Sequence, residues 1–94
     1  MKDTLSFSSH AIARMFERDI STDDVSSVLR EGRTIQEYPD DTPYPSKLIL
    51  GFIDQTPLHV VASYDTIERG IIIITVYEPD RDLWDNEFKA RLKK

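Results

Sequence analysis

The chain has no cysteine, which excludes disulfides, thiolate metal sites and cysteine nucleophiles. It has three glycines, each isolated, so no glycine-rich phosphate loop is present. Its two histidines, His10 and His59, stand far apart in sequence. That makes a weak case for a metal, which wants three convergent ligands, and neither a metal nor another cofactor is expected. Long apolar runs are missing too: the longest is Ile71 to Ile74, against the roughly 20 residues of a spanning helix. Met1-Lys2-Asp3-Thr4 leads into no signal-peptide core, so no membrane association and a cytoplasmic location are expected. Positive charge is also in short supply. Twelve Lys and Arg against 17 Asp and Glu leave a net charge of −5, so no whole-molecule field attracts nucleic acid.

What is present is a globular composition, with 39% apolar and 31% charged residues. The 94 residues make a single domain, 1–94. Helix signals occupy the two ends and strand signals the middle. Ser9 to Asp19 reads as a helix capped by Ser8 or Ser9, with Ile12, Met15 and Phe16 as its core stripe. Ser21-Thr22-Asp23-Asp24 starts a second helix with a capping box in which Asp replaces Glu. Val25, Val28 and Leu29 form its apolar face, and Gly32 ends it as a left-handed cap would.

Four strand-like runs follow: Arg33 to Tyr38, Lys47 to Asp54, Leu58 to Asp65 and Ile71 to Tyr77. Three prolines between Pro39 and Pro45 mark an exposed loop. Gln55-Thr56-Pro57 is short enough for an antiparallel hairpin. The isoleucine run suits a central strand covered on both faces. From Asp80 onward acids come first and Lys89, Arg91, Lys93 and Lys94 last, as in a terminal helix whose core residues are Leu83, Trp84, Phe88 and Leu92. The expected fold is α+β: two N-terminal helices on a four-stranded antiparallel sheet, with a C-terminal helix.

The sharpest chemical feature is His10-x-x-x-Arg14-x-x-x-Arg18. Steps of four keep these side chains on one helical stripe. A titratable imidazole beside two guanidinium forks suits phosphate recognition; the same stripe also describes the solvated face of an amphipathic helix. Strand alternation puts His59 with Val61, Ser63 and Asp65, opposite Leu58, Val60, Ala62 and Tyr64. Thr75 and Tyr77 share a face near the end of the last strand. Lys47 opens the second strand beside the proline-rich loop, and both Lys47 and Thr75 are candidate RNA contacts.

These residues carry a resemblance. His10-Ala11-x-x-Arg14-Met15-x-x-Arg18-x-Ile20-Ser21, with Gly32, Tyr38-Pro39, Pro43-Tyr44-Pro45, Leu58-His59-Val60-Val61 and Ile74-Thr75-Val76-Tyr77-x-Pro79, resembles the domain-of-unknown-function family 4258 from about Ser8 to Trp84. The resemblance implies a RelE/ParE-like fold and a toxin of a type II toxin–antitoxin pair. The partner it implies is a cognate antitoxin such as a YgiT-type zinc-finger protein. The activity it implies is metal-free cleavage of messenger RNA, free or on the ribosome, in which a ribose 2′-hydroxyl attacks its own phosphorus. His10 or His59 would serve as acid or base, Arg14 and Arg18 would stabilise the phosphorane, and Tyr77 would orient phosphate or stack on a base. The acidic balance supports an alternative: a non-catalytic module that docks a zinc-finger or other antitoxin-like protein through its acidic surface and the Pro39–Pro45 loop.

Overall fold

A computed structural model of the chain describes residues 4–65, 67, 69–80, 84, 87 and 88. It runs β1 (Thr4–Phe7), α1 (Ser9–Arg18), α2 (Thr22–Glu31), β2 (Arg33–Tyr38), β3 (Ser46–Ile53), β4 (Thr56–Asp65) and β5 (Gly70–Tyr77). The strands form one sheet in the order β1-β5-β4-β3-β2.

The α+β class holds, but the expected four-stranded antiparallel sheet with a C-terminal helix is corrected on two points. The sheet has five strands and is mixed: Thr4–Phe7 pairs in parallel with Gly70–Ile73, outside the antiparallel β2-β3-β4-β5 ladder. Only four residues long, this strand is too short to show a periodicity, and it is held by pairing rather than by its own propensity. Of the expected C-terminal helix, the described residues are not helical. Trp84 forms an isolated bridge and Glu87 lies in a turn, while Phe88 has a left-handed φ of 61°. Leu83, Leu92 and the basic residues of that segment lie outside the described residues.

Local chemistry explains the helices. The Ser8 hydroxyl accepts from Ala11 N–H at 3.0 Å and donates to the Ile74 carbonyl at 2.7 Å, so one side chain caps α1 and pins it to the sheet. Ile74 is free to accept because it is the extra residue of a β-bulge: Ile73 pairs with Ala62 and Thr75 with Val61. Asp19 ends α1 in a left-handed conformation at φ 57°. The Ser21–Asp24 capping box opens α2 with bonds of 3.0 and 3.1 Å. Gly32 is extended rather than left-handed, with φ −78° and ψ −178°. Glycine is needed there for space, since a Cβ would press on the Val28 carbonyl and come within 2.7 Å of the Leu50 carbonyl. The hairpin between β3 and β4 turns on Asp54 and Gln55, both at positive φ (51° and 81°), with Thr56 already paired to Ile53.

The sheet has two covered faces. Ile49, Leu58, Val60, Ala62, Ile73 and Val76 pack under Ala11, Met15, Val25 and Val28 of the helices. On the other face Leu48 and Leu50 pack with Ile35, Tyr38, Val61 and the C-terminal Trp84 and Phe88. The core stripe of α1 is therefore Ala11 and Met15, not the expected Ile12, Met15 and Phe16. Ile12 is 56% exposed and Phe16 88%. The isoleucine strand is second from the edge, and Ile74 is partly exposed. Among the described residues no helix is long and apolar enough to cross a membrane.

Candidate functional site

Alternation along β4 decides where the candidate residues go. Leu58 and Val60 point at the helices, so His59 between them points at the opposite face. There its ring is fully buried. Its cross-strand partner is Tyr77, whose hydroxyl stands 3.1 Å from Nδ1. Nε2 stands 2.8 Å from the Phe88 carbonyl. A carbonyl only accepts, so Nε2–H is the donor and Nδ1 accepts from the tyrosine hydroxyl. The Tyr77 and Trp84 rings meet the imidazole edge-to-face, at centroid distances of 5.2 and 4.4 Å. Burial pushes the His59 pKa below its ordinary value, and the bond to the Phe88 carbonyl offsets part of that effect. The neutral ring thus spends both nitrogens inside the chain. Thr75 lies half-buried on this same face, opposite Val61.

His10, Arg14 and Arg18 occupy α1 on the other side of the sheet, all exposed. Arg14 approaches Glu17 at 3.7 Å, a surface pair between side chains 46% and 61% exposed, worth at most a few tenths of a kcal/mol (~0.3–0.5). Arg18 borders a cleft of about 260 Å³ that also takes in Asp19, Asp24, Asp54 and Glu78. Lys47 is exposed on the helix-side face, paired in register with Glu37 across β2 and β3. It borders a separate groove of about 420 Å³ whose apolar lining includes Leu29, Ile49, Ala62 and Ile71. The structure therefore brings together His59, Tyr77 and Thr75, keeps His10, Arg14 and Arg18 on one exposed helix, and does not bring the two sets to one place. The sheet stands between the two sets, and Arg18 meets it only on the helix side, at the cleft it shares with Leu58 and Glu78.

A family model covering residues 7–78 matches this sequence, and it is described as Domain of unknown function (DUF4258). The chain belongs to that family. The DUF4258 span takes in both helices and β2–β5, with His10, Arg14, Arg18, His59 and Tyr77 inside it. It leaves out most of β1, as well as Trp84 and Phe88, so the family segment supplies His59 and Tyr77 while its C-terminal flank supplies the groups that bury them. No curated protein and no solved structure matches the chain.

Two features escaped the sequence. The exposed pair Ile12 and Phe16 looked like core because its i, i+4 spacing is that of a buried stripe; the sign against it was the small Ala11, which lets α1 sit close to the sheet. The bond from His59 to Phe88 joins residues 29 apart through a backbone carbonyl, which no side-chain pattern encodes.

Proposed function

We propose that this DUF4258 chain is a protein-binding module of a toxin–antitoxin type pair, held by an antitoxin-like partner over the outward side of α1. The observation that carries the proposal is Phe16, 88% exposed in mid-helix with Ile12 56% exposed one turn before it. Two large apolar side chains exposed one helical turn apart form a contiguous patch of the kind that marks a docking surface, and covering a Phe or Ile side chain is worth about 1.5–3 kcal/mol. Anchors of this kind, one turn apart, fit a partner's apolar groove. The division of the candidate residues between the two sides of the sheet also favours binding over a composite nuclease.

The test is co-purification and calorimetry with the protein encoded by the neighbouring gene, a zinc-finger antitoxin where one is present. Phe16→Ala is expected to weaken the complex by ten-fold or more, and Ile12→Ala by a similar factor, with no loss of fold. Unchanged affinity in both variants would refute docking on α1. A second reading, messenger-RNA cleavage, has in its favour that His10, Arg14 and Arg18 stay aligned and open to solvent. It predicts RNA binding that Arg14→Ala and Arg18→Ala weaken while Phe16→Ala does not.

A further inference from the structure

The groove beside Lys47 lies apart from the partner-binding surface, for neither Ile12 nor Phe16 borders it. It occupies the helix side of the sheet where α2 runs out. Leu29, in the last turn of α2, forms one wall. Ile49, Ala62 and Ile71 supply an apolar floor from β3, β4 and β5. Ala62 stands in register between Lys47 and Ile73, and its single methyl leaves open a hollow that a larger side chain would fill. At about 420 Å³, the groove falls within the range of small-molecule sites, roughly 300–1,000 Å³. Its border is fixed before any ligand arrives. Ser63 Oγ donates to the Pro45 carbonyl at 3.0 Å and Ser46 Oγ donates to Asp41, which ties the end of the proline-rich loop to β4 and β3.

The polar groups on that border are unusual in being unspent. Glu37 and Lys47 stand opposite each other across β2 and β3, where Cβ atoms are about 5 Å apart, and both line the groove. Among the described residues neither forms an ion pair, with the other or with any third side chain. The Tyr64 hydroxyl lines the same groove and likewise has no hydrogen-bond partner among the described residues.

We propose that this groove binds a free α-amino acid with an apolar side chain: Lys47 takes the carboxylate, Glu37 takes the ammonium, and the side chain lies on Leu29, Ile49, Ala62 and Ile71. The two charges select the ligand. A carboxylate alone is drawn to Lys47 but repelled by Glu37 beside it, and an amine alone meets the reverse. A group that carries both charges close together is attracted at both ends. In peptide linkage a residue loses one or both of those charges, so the site selects the free amino acid over a protein segment. The Tyr64 hydroxyl supplies a further donor for the carboxylate.

The test titrates the full-length protein with L-leucine, L-phenylalanine and L-tryptophan, following the methyl resonances of Ala62 and Ile71 and the ring resonances of Tyr64. Three comparison compounds each lack one feature: 3-phenylpropionate the ammonium, 2-phenylethylamine the carboxylate, and glycine the apolar side chain. The expected result is a saturable shift of those resonances with at least one of the three apolar amino acids, and weaker binding of every comparison compound. Lys47→Gln and Glu37→Gln should each lower the affinity by about five-fold or more, since a charge-assisted bond on an exposed border is worth less than a buried one. Both positions are exposed, so both variants should fold. Phe16→Ala should bind the amino acid as wild type does, which separates this site from the partner-binding surface. The proposal is overturned if none of the three amino acids gives a saturable shift at these residues. It is equally overturned if a comparison compound binds as tightly as the best amino acid, or if either charge variant binds as wild type does.

Discussion

Gly51 sits where α2 rests on β3, and replacing it with alanine probes that seat. A Cβ at this position would stand 2.8 Å from Val28 Cγ2, 3.0 Å from Cγ1 and 3.1 Å from Cα. Val28 is itself buried in the helix-side core, and its rotamers are few because it is β-branched. The clash cannot be relieved at a flexible tip, so α2 has to move outward by a few tenths of an ångström. Overpacking of this kind costs about 1–3 kcal/mol. Alanine returns roughly 0.4–1 kcal/mol by restricting the unfolded chain, which leaves a net loss of roughly 0.5–2 kcal/mol. At about 2.1 cal/mol/K of unfolding entropy per residue, that corresponds to a fall in Tm of roughly 3–10 °C. Thermal melts followed by circular dichroism read it directly, with Gly70→Ala as the control. There the new Cβ meets the Thr4 hydroxyl at 3.0 Å, an exposed side-chain tip that can rotate away, so Tm should stay within about 3 °C. A Gly51→Ala protein as stable as wild type, or a Gly70→Ala protein that falls as far, would refute the packing argument.

Other outcomes follow from the same geometry. Replacing Asp54-Gln55 by Asn-Gly should raise stability by about 1 kcal/mol, because both turn residues hold positive φ and Asn-Gly adopts that turn with less strain; urea titration checks it. Ser8→Ala should cost about 1–2 kcal/mol, since it removes the cap of α1 together with the bond to the Ile74 carbonyl. Phe16→Ser should leave the unfolding free energy unchanged to within about 0.5 kcal/mol, read by urea titration, because an 88% exposed ring has little burial to lose. Wild-type stability should decline as pH drops below 6.5, the side on which a histidine with a lowered pKa destabilises the folded state. Denaturant midpoints at several pH values, with His59→Gln as the flat reference, test that slope.

Much of the fold was legible in the sequence because its signals are local. Ser8, one of the two serines offered as the cap of α1, the Ser21–Asp24 box and the alternation of Leu58, His59 and Val60 in β4 each act over a few residues, and each appears where the sequence places it. The errors fall where tertiary pairing decides. Thr4–Phe7 is a strand because Gly70–Ile73 is beside it, a relation invisible within four residues. The rotation of α1 onto Ala11 and Met15 follows from how closely that helix approaches the sheet, and the spacing of Ile12, Met15 and Phe16 fits either rotation. The candidate site divides in the same way. The stripe His10, Arg14, Arg18 and the face that His59 shares with Val61 follow from helical and strand periods, but the register that sets His59 opposite Tyr77, and which side of the sheet each set faces, are decided by long-range pairing that no local period encodes.

The measurement that bears most directly on the account is transcript end-mapping in cells induced for this chain, for wild type and for two variants: His10→Ala/Arg14→Ala/Arg18→Ala and His59→Gln/Tyr77→Phe. With the two sets of side chains on opposite sides of the sheet, no cleavage should depend on both. New RNA ends that appear in wild type and disappear in each variant alike, with both variants folded, would show a single composite site and contradict the account.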